Sequence, residues 1–86
     1  MLSNNKSKLI RIKEVMEISG LKRSTIYNYI SLGIFPSQIK LGERCAAWLE
    51  SEISEVNFAR IAEKTEQQIK DLIAKQRDLR SQNSYH

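Results

Sequence analysis

The sequence predicts a small, mainly α-helical domain that carries one short antiparallel β-hairpin and ends in an extended C-terminal helix. Apolar residues recur at helical spacing on both sides of Gly20, and they alternate with polar residues between positions 38 and 41. Neither glycine nor proline occurs after Gly42. Because the chain has 86 residues, it is long enough for one hydrophobic core and too short for two independent ones.

The first helix is predicted from Ile12, Val15 and Met16, which share one helical face. Gly20 is expected to end this helix, because glycine adopts the positive φ of a tight turn without steric cost. Leu21 is the apolar residue inside the turn, and we expect it to pack under the corner between two helices. A short turn of this kind is typical of a helix-turn-helix.

The second helix is predicted to run from Lys22 or Arg23 to Leu32. Ser24 and Thr25 lie near its start, where their hydroxyl groups could cap free amides. Gly33 and then Pro36 are expected to end it. Its buried stripe is predicted to contain Ile26, Tyr29 or Ile30, and Leu32.

Residues 38–48 have the pattern of a hairpin with one buried face. Gly42-Glu43 suits a two-residue type II′ turn, since glycine is favoured at its first central position. A turn at this point places Leu41 opposite Arg44, Ile39 opposite Ala46, and Ser37 opposite Trp48. Ile39, Leu41, Ala46 and Trp48 would then share the face that packs on the helices, with Trp48 in the core.

The chain from Leu49 onward is predicted to be helical. Glu50, Glu52 and Glu55 are interpreted as the solvated start of that helix, where negative charge suits the helix dipole. Ile53, Val56 and the stem of Arg60 are expected to pack back onto the domain. The sequence Thr65-Glu66-Gln67-Gln68 fits a capping box, which leaves open whether the helix continues past Thr65.

A weak heptad seam follows the same region, and it could mediate self-association or pair with a partner helix. The alternative is that these residues pack within the chain or lie on a solvated helix. The seam consists of Phe58, Ala62, Ile69, Leu72 and Leu79.

Several chemistries lack the residues that they need, and we expect no enzyme, no metal site and no cofactor. The only histidine is His86 and the only cysteine is Cys45, so neither a zinc ligand set nor a catalytic triad can be assembled. The three glycines fall at turns and form no phosphate-binding loop. No apolar run reaches the roughly 20 residues of a membrane span. The polar N-terminus predicts no secretory signal, and the single cysteine favours a reducing cytoplasm.

Positive charge is concentrated in the N-terminal half of the chain. Residues 1–48 contain eight Lys and Arg against three Asp and Glu, whereas residues 49–86 contain six against seven. Such asymmetry suits an anionic partner that approaches from one side, most commonly a nucleic acid. A solvated basic surface without a partner is the alternative.

The exposed face of the second helix carries side chains that suit contacts with duplex DNA. Arginine can bond guanine and asparagine can bond adenine in a bidentate manner, which points to Arg23 and Asn28. Ser24, Thr25 and the free amides of the helix start can hold a phosphate, and Tyr27 can bond a phosphate or contact thymine methyl groups. The complete predicted set on this helix is Lys22, Arg23, Ser24, Thr25, Tyr27, Asn28 and Ser31.

Four motifs in a fixed order resemble the AlpA family of prophage regulators. They are RIKEVMEISGLKRSTIY (11–27), GIFP (33–36), KLG (40–42) and WLESEI (48–53), and the resemblance covers roughly residues 9–60. That family is related to the winged-helix excisionases and to the DNA-binding domains of MerR-type regulators.

The resemblance implies a winged helix-turn-helix, which we place at 9–62. Outside the resemblance, the polar residues 1–8 are expected to form a flexible arm, and residues 63–86 a helical extension whose tail (81–86) is frayed. The helix at 23–32 would enter the major groove, and the hairpin at 38–48 would be a wing that brings Lys40 and Arg44 to the DNA backbone or minor groove. Family members regulate transcription of prophage or mobile-element genes. This implies double-stranded DNA as the partner, in the bacterial cytoplasm and nucleoid.

Two other functions stay open at this point. One is an excisionase-like directionality factor that bends attachment-site DNA, with a phage recombinase as partner instead of RNA polymerase. The other is a protein-interaction module that acts through the C-terminal helix, with a homodimer as one form of it.

Val56-Asn57-Phe58 replaces a more usual Trp-Leu pair, so the third helix is expected to pack in its own way, and three further departures lie in or beside the predicted DNA-binding elements. Lys22 stands where a serine cap is frequent, which suggests that the second helix begins later, at Ser24. Asn28 replaces a frequently basic residue, so the target sequence is expected to differ. Glu43 places a negative charge at the tip of the hairpin, which argues against deep insertion of the wing.

Overall fold

The computed structural model describes residues 8–82. Of the predicted arm (1–8) only Lys8 lies within this range, and of the predicted frayed tail Ser81 and Gln82 belong to the last helix. The elements are β1 (Leu9–Ile10), α1 (Ile12–Ser19), α2 (Arg23–Leu32), β2 (Ile39–Gly42), β3 (Cys45–Leu49), α3 (Glu50–Ile61) and α4 (Glu66–Gln82). A three-stranded antiparallel sheet with these helices is a winged helix-like fold, which confirms the predicted fold class.

The turn between α1 and α2 has the predicted construction. Gly20 takes a φ of +73° and its N–H bonds to the carbonyl of Met16. Leu21 is half-buried and packs against the main core, as expected for the apolar residue of this turn. The turn therefore fixes the direction in which α2 leaves α1.

The start of α2 differs from the prediction. Lys22 is the N-cap, in an extended conformation, and no side chain caps the helix. The expectations that Ser24 or Thr25 caps α2, and that the helix begins at Ser24, were wrong, because both residues already lie inside its first turn. Their hydroxyl groups are thus not committed to the cap.

The end of α2 follows from Gly33. With a φ of +79°, Gly33 lets its own N–H bond to Ile30 and the N–H of Ile34 bond to Tyr29. Leu32, predicted to be buried, is 50% exposed. It lies about 120° around the helix from the fully buried Ile26, at about 100° per residue.

We expect Gly33→Ala to lower the free energy of unfolding by about 1–2 kcal/mol. No atom would crowd the added Cβ, so the cost comes from placing an L-residue at positive φ. Urea unfolding of this variant and of the wild-type protein measures the change. An unchanged midpoint for Gly33→Ala would contradict the assignment.

The sheet has the order β1-β3-β2, so β3 is its central strand. β1, which pairs Leu9 with Leu49 and Ile10 with Trp48, was not predicted. Its Ile10 is buried in the main core. A strand of two residues is too short to show an alternating pattern.

The predicted register of the hairpin was wrong by one residue. Ile39 pairs with Ala47, Lys40 with Ala46, and Gly42 with Cys45, with an irregularity between Lys40 and Gly42. The turn therefore contains Glu43 and Arg44 instead of Gly42 and Glu43. Leu41, expected on the buried face, is 49% exposed.

The main core lies between the sheet and the first three helices. It contains Ile10, Val15, Ile26, Phe35, Trp48 and Ile53. Trp48 is fully buried, and its indole N–H donates a 3.0 Å hydrogen bond to the carbonyl of Pro36. Trp48 thus connects the central strand to the segment that leads from α2 into the hairpin, and its predicted place in the core is confirmed.

The C-terminal region consists of two helices that pack against each other. Thr65 and Gln68 form the predicted capping box, with reciprocal backbone-to-side-chain bonds of 3.1 and 2.8 Å. α4 folds back, and Ile69 and Ile73 form a second core with Val56 of α3. The extension is therefore packed onto the domain.

Glu52 corrects one expectation about the start of α3. It is 7% exposed instead of solvated, and Arg80 of α4 binds its carboxylate through Nε and Nη2. The same Nη2 donates a 2.8 Å bond to the carbonyl of Ser37, just before β2. Gln76 adds bonds to Glu52 and Glu55 of α3. The end of α4 is thus joined to the start of α3 and to the base of the hairpin.

Candidate nucleic-acid interface

One side of α2 is open to solvent along its whole length. Ser24, Asn28 and Ser31 are exposed and lie within about 60° of one another around the helix, at about 100° per residue. Lys22 and Arg23 are exposed at its N-terminal end, and Thr25 is half-buried. All seven residues predicted on this helix, Tyr27 included, are therefore fully or partly accessible to solvent.

Tyr27 packs against the core, a structural role that the sequence did not predict. It is half-buried, and its ring lies edge-on to Trp48 with 6.2 Å between the ring centroids. Such edge-to-face pairs are favourable and fix the ring orientation. The aromatic body of Tyr27 therefore packs on the core, at the border of the exposed face.

The C-terminal end of α2 is held by Arg60 of α3. Its guanidinium lies 4.9 Å from the centre of the Tyr29 ring and donates a hydrogen bond to the carbonyl of Ile34. The sequence predicted only that the stem of Arg60 would pack. With Ile26 buried near the start of α2 and Arg60 at its end, the helix is fixed against the domain at both ends.

Ser31 and Asn28 are also linked to each other. The hydroxyl of Ser31 donates a 2.7 Å bond to the backbone carbonyl of Asn28. This bond uses the hydroxyl proton and leaves the serine oxygen as an acceptor. The amide of Asn28 projects from the same stretch of the exposed face.

The β2–β3 hairpin carries the two other predicted basic residues. Lys40 and Arg44 are both exposed, and Arg44 lies in the turn beside the exposed Glu43. Cys45, next to the turn, is half-buried and free. The hairpin thus presents two cations and one carboxylate near its end.

Arg11 is a basic residue for which the sequence predicted no role. It is exposed, immediately precedes α1, and its Nη1 lies 3.4 Å from the carbonyl of Ala46 in β3. The only signal in the sequence was its position between the apolar pair Leu9–Ile10 and the first helix. That signal becomes informative only once β1 is known to pair with β3.

The predicted heptad seam is not one continuous stripe. α3 ends at Ile61 and α4 begins at Glu66, so the repeat is interrupted between Phe58 and Ile69, and Ala62 lies in the interruption. Ile69 is buried in the second core and Leu72 packs against it, as the alternative of packing within the chain required. Phe58 stays 69% exposed, and Ala62 and Leu79 are also exposed.

The described residues, 8–82, contain neither a candidate metal site nor a candidate membrane span. Within this range no group of three or more His, Cys, Asp or Glu side chains is placed to hold a metal ion. None of the helices described there is both long and apolar enough to cross a membrane.

Comparison with known proteins places this chain among phage regulators. Residues 8–59 match the family described as Prophage CP4-57 regulatory protein (AlpA). An uncharacterized protein, ORF88, of Enterobacteria phage P4 is 47% identical over 55 residues, which are 64% of this chain and 62% of that protein. The chain therefore matches less than two thirds of the length of that relative.

A second relative is the DNA-binding transcriptional activator AlpA of Escherichia coli (strain K12). It is 32% identical over 60 residues, which are 60% of this chain and 86% of that protein. No solved structure matches significantly. The family match spans more than half of the chain and includes both helices of the helix-turn-helix and the hairpin, so the chain belongs to the AlpA family of prophage regulatory proteins.

Proposed function

We propose that this protein is a sequence-specific, double-stranded-DNA-binding regulator of transcription of prophage or mobile-element genes, with α2 as the reading helix. The observation that carries this proposal is the open polar side of α2, which is fixed to the domain at both ends. A rigid helix with an accessible polar face is what insertion into the major groove requires. The E. coli relative, a DNA-binding transcriptional activator, supports the same function.

Arg23 and Asn28 are assigned to the base edges. A guanidinium offers a planar pair of donors to guanine, and an amide offers one donor and one acceptor to adenine. They occupy different sides of the exposed arc, about 140° apart at about 100° per residue. Each therefore reads a different base pair.

The neighbouring polar residues are assigned to the DNA backbone. Ser24 and Thr25 lie in the first turn of α2, where the free amide groups favour a phosphate. Lys22 and Ser31 extend these contacts at the two ends of the helix, and the hydroxyl of Tyr27 borders them. Backbone contacts of this kind fix the register of the helix in the groove.

The β2–β3 hairpin is assigned as the wing. Lys40 and Arg44 are exposed on it and would neutralise phosphates beside the groove that α2 enters. Glu43 lies in the turn between the strands, where its charge disfavours close approach to phosphates. We therefore assign the wing to the backbone and not to the floor of the minor groove.

Substitution of the two reading residues tests the proposal. The probe is the duplex that the wild-type protein enriches from a random-sequence library. Arg23→Ala and Asn28→Ala should each weaken binding to this duplex by about 1–3 kcal/mol, about 5- to 150-fold in Kd, and relax the preference at one base pair. Fluorescence anisotropy on the enriched duplex and on single-base variants measures both effects.

Controls come from α4. Lys75→Ala removes one exposed positive charge and Gln67→Ala one exposed amide, both far along the chain from α2. Each control should bind the enriched duplex nearly as the wild type does. If Arg23→Ala and Asn28→Ala also bind it like the wild type, α2 is not the reading helix.

The same duplex separates promoter regulation from the excisionase-like alternative. A regulator is expected to change transcription from a promoter that contains the site. A strong bend in a circular-permutation gel assay, together with stimulated excision and unchanged transcription, would assign the protein to recombination instead.

A further inference from the structure

Three positively charged residues lie near Ala46 of β3, and one of them contacts its backbone carbonyl. Arg11 reaches the carbonyl of Ala46 from the β1 side of the sheet, at 3.4 Å. Lys40 is the cross-strand partner of Ala46 on the β2 side, and Arg44 lies two residues before Ala46 in the turn. All three side chains are exposed. We call Arg11, Lys40 and Arg44 the wing cluster.

The pairing of the strands sets the dimensions of the wing cluster. Neighbouring strands lie about 4.8 Å apart, so β1 and β2, on either side of β3, are on the order of 10 Å apart. Arg11, Lys40 and Arg44 are therefore attached to neighbouring backbone segments, and together they add positive charge to this part of the surface. Such a surface is suited to adjacent phosphates of one nucleic-acid strand.

Two of the described carboxylates lie near the wing cluster, and neither is bonded to one of its charged groups. Glu43 is exposed in the turn, and Glu14 accepts the backbone N–H of Arg11 at 2.9 Å. Neither carboxylate forms an ion pair with the three side chains, among the residues that the structure describes. By contrast, Lys8 lies 3.9 Å from the carboxylate of Glu50.

Arg11 keeps most of its hydrogen-bonding capacity. A guanidinium has five N–H donors, and the bond to Ala46 occupies one of them. This bond holds the side chain against the hairpin, so less entropy is lost when the remaining donors bind a ligand. Arginine held in this way is well suited to bidentate binding of a phosphate.

We propose that Arg11 is a phosphate-binding residue and the third member of a backbone clamp that the wing cluster forms on duplex DNA. This inference rests on the proposed function, and it adds a residue outside the two hairpin strands and outside α2. Arg11 is contributed by the segment between β1 and α1. The clamp therefore depends on the pairing of β1 with β3.

The salt dependence of binding tests this assignment, with the enriched duplex as probe. The logarithm of the binding constant falls with the logarithm of salt concentration by about 0.9 for each phosphate neutralised. Arg11→Ala should reduce this slope by about 0.9 and weaken binding at 0.1 M salt by about five- to tenfold. Arg11→Lys should restore the slope, because it keeps the charge.

Lys13→Ala is the matched control. It removes the same charge two residues away, from the exposed face of α1 that also carries Glu14 and Glu17. We expect its slope to equal that of the wild type. Thermal unfolding of each variant shows that the folded protein is being titrated.

Three outcomes would overturn the inference. One is a wild-type slope for Arg11→Ala, even with reduced stability, since this would make Arg11 a structural link between β1 and β3. Another is an equal loss of slope in Lys13→Ala. A failure of the wild type to bind any duplex at low salt would remove the proposed function itself, which is a different result from an unchanged slope.

Discussion

Replacement of Trp48 with alanine is expected to lower the free energy of unfolding by about 3–5 kcal/mol. The indole is fully buried among residues of the sheet, α1, α2 and α3, and its removal leaves a large cavity. The variant also loses the hydrogen bond to the carbonyl of Pro36, a residue that is itself buried. Urea unfolding followed by circular dichroism measures the change.

Two other substitutions serve as controls for Trp48→Ala. Trp48→Phe keeps an aromatic ring beside Tyr27 but lacks the N–H donor, so its effect should fall between wild type and alanine. Leu41→Ala removes a large apolar side chain from an exposed position on the hairpin and should change stability by less than about 1 kcal/mol. Equal unfolding midpoints for Trp48→Ala and Leu41→Ala would show that Trp48 does not organise the core.

Arg80→Met is expected to have the second-largest effect, about 3–5 kcal/mol of lost stability. Without the guanidinium, the carboxylate of Glu52 stays buried beneath α4 with no opposite charge beside it. The carbonyl of Ser37 also loses a donor. Because Arg80 lies near the C-terminal end of α4, we expect the extension to contribute to the stability of the whole domain.

A double-mutant cycle distinguishes this buried ion pair from simple loss of packing. Glu52→Met combined with Arg80→Met replaces both charges with apolar side chains, which often recovers stability. The double variant should therefore be more stable than Arg80→Met alone. Arg77→Met, an exposed arginine one turn earlier in α4, is the control and should be near neutral. Additive effects of the two single substitutions would contradict a coupled pair.

The parts of the fold that local chemistry determines were predictable from the sequence. Gly20 and Gly33 end helices because only glycine takes positive φ at low cost, and Thr65 and Gln68 cap α4 through a motif four residues long. Each of these signals lies within one turn of the chain. These helix ends are therefore determined by neighbouring residues, and the sequence alone predicts them.

The predictions that were wrong concern contacts between segments that are distant in the sequence. The register of the hairpin was predicted from one buried face, but β3 is covered on both faces and pairs with β1 as well as β2. Alternation therefore could not determine the register. The buried state of Glu52 depends on Arg80, which lies 28 residues away, and no local pattern connects them.

In the candidate site, too, the features set by neighbouring residues were predictable and those set by distant contacts were not. Exposure of the polar side of α2 followed from helical periodicity, and Arg23, Asn28 and Ser31 are exposed as expected. The packing of Tyr27 on Trp48 and the place of Arg11 beside Ala46 depend on how the sheet is assembled. The sequence therefore identified the helix face but not its aromatic border or the third cation of the wing cluster.

Titration of the isotopically labelled protein with the enriched duplex, followed by backbone amide NMR shifts, tests the central claim most directly. We predict that the largest shifts occur in residues 22–31 of α2 and in residues 40–44 of the hairpin, with α4 little changed. Shifts confined to α4 and the outer face of α3, with α2 unchanged at saturation, would contradict the assignment of α2 as the helix that reads DNA.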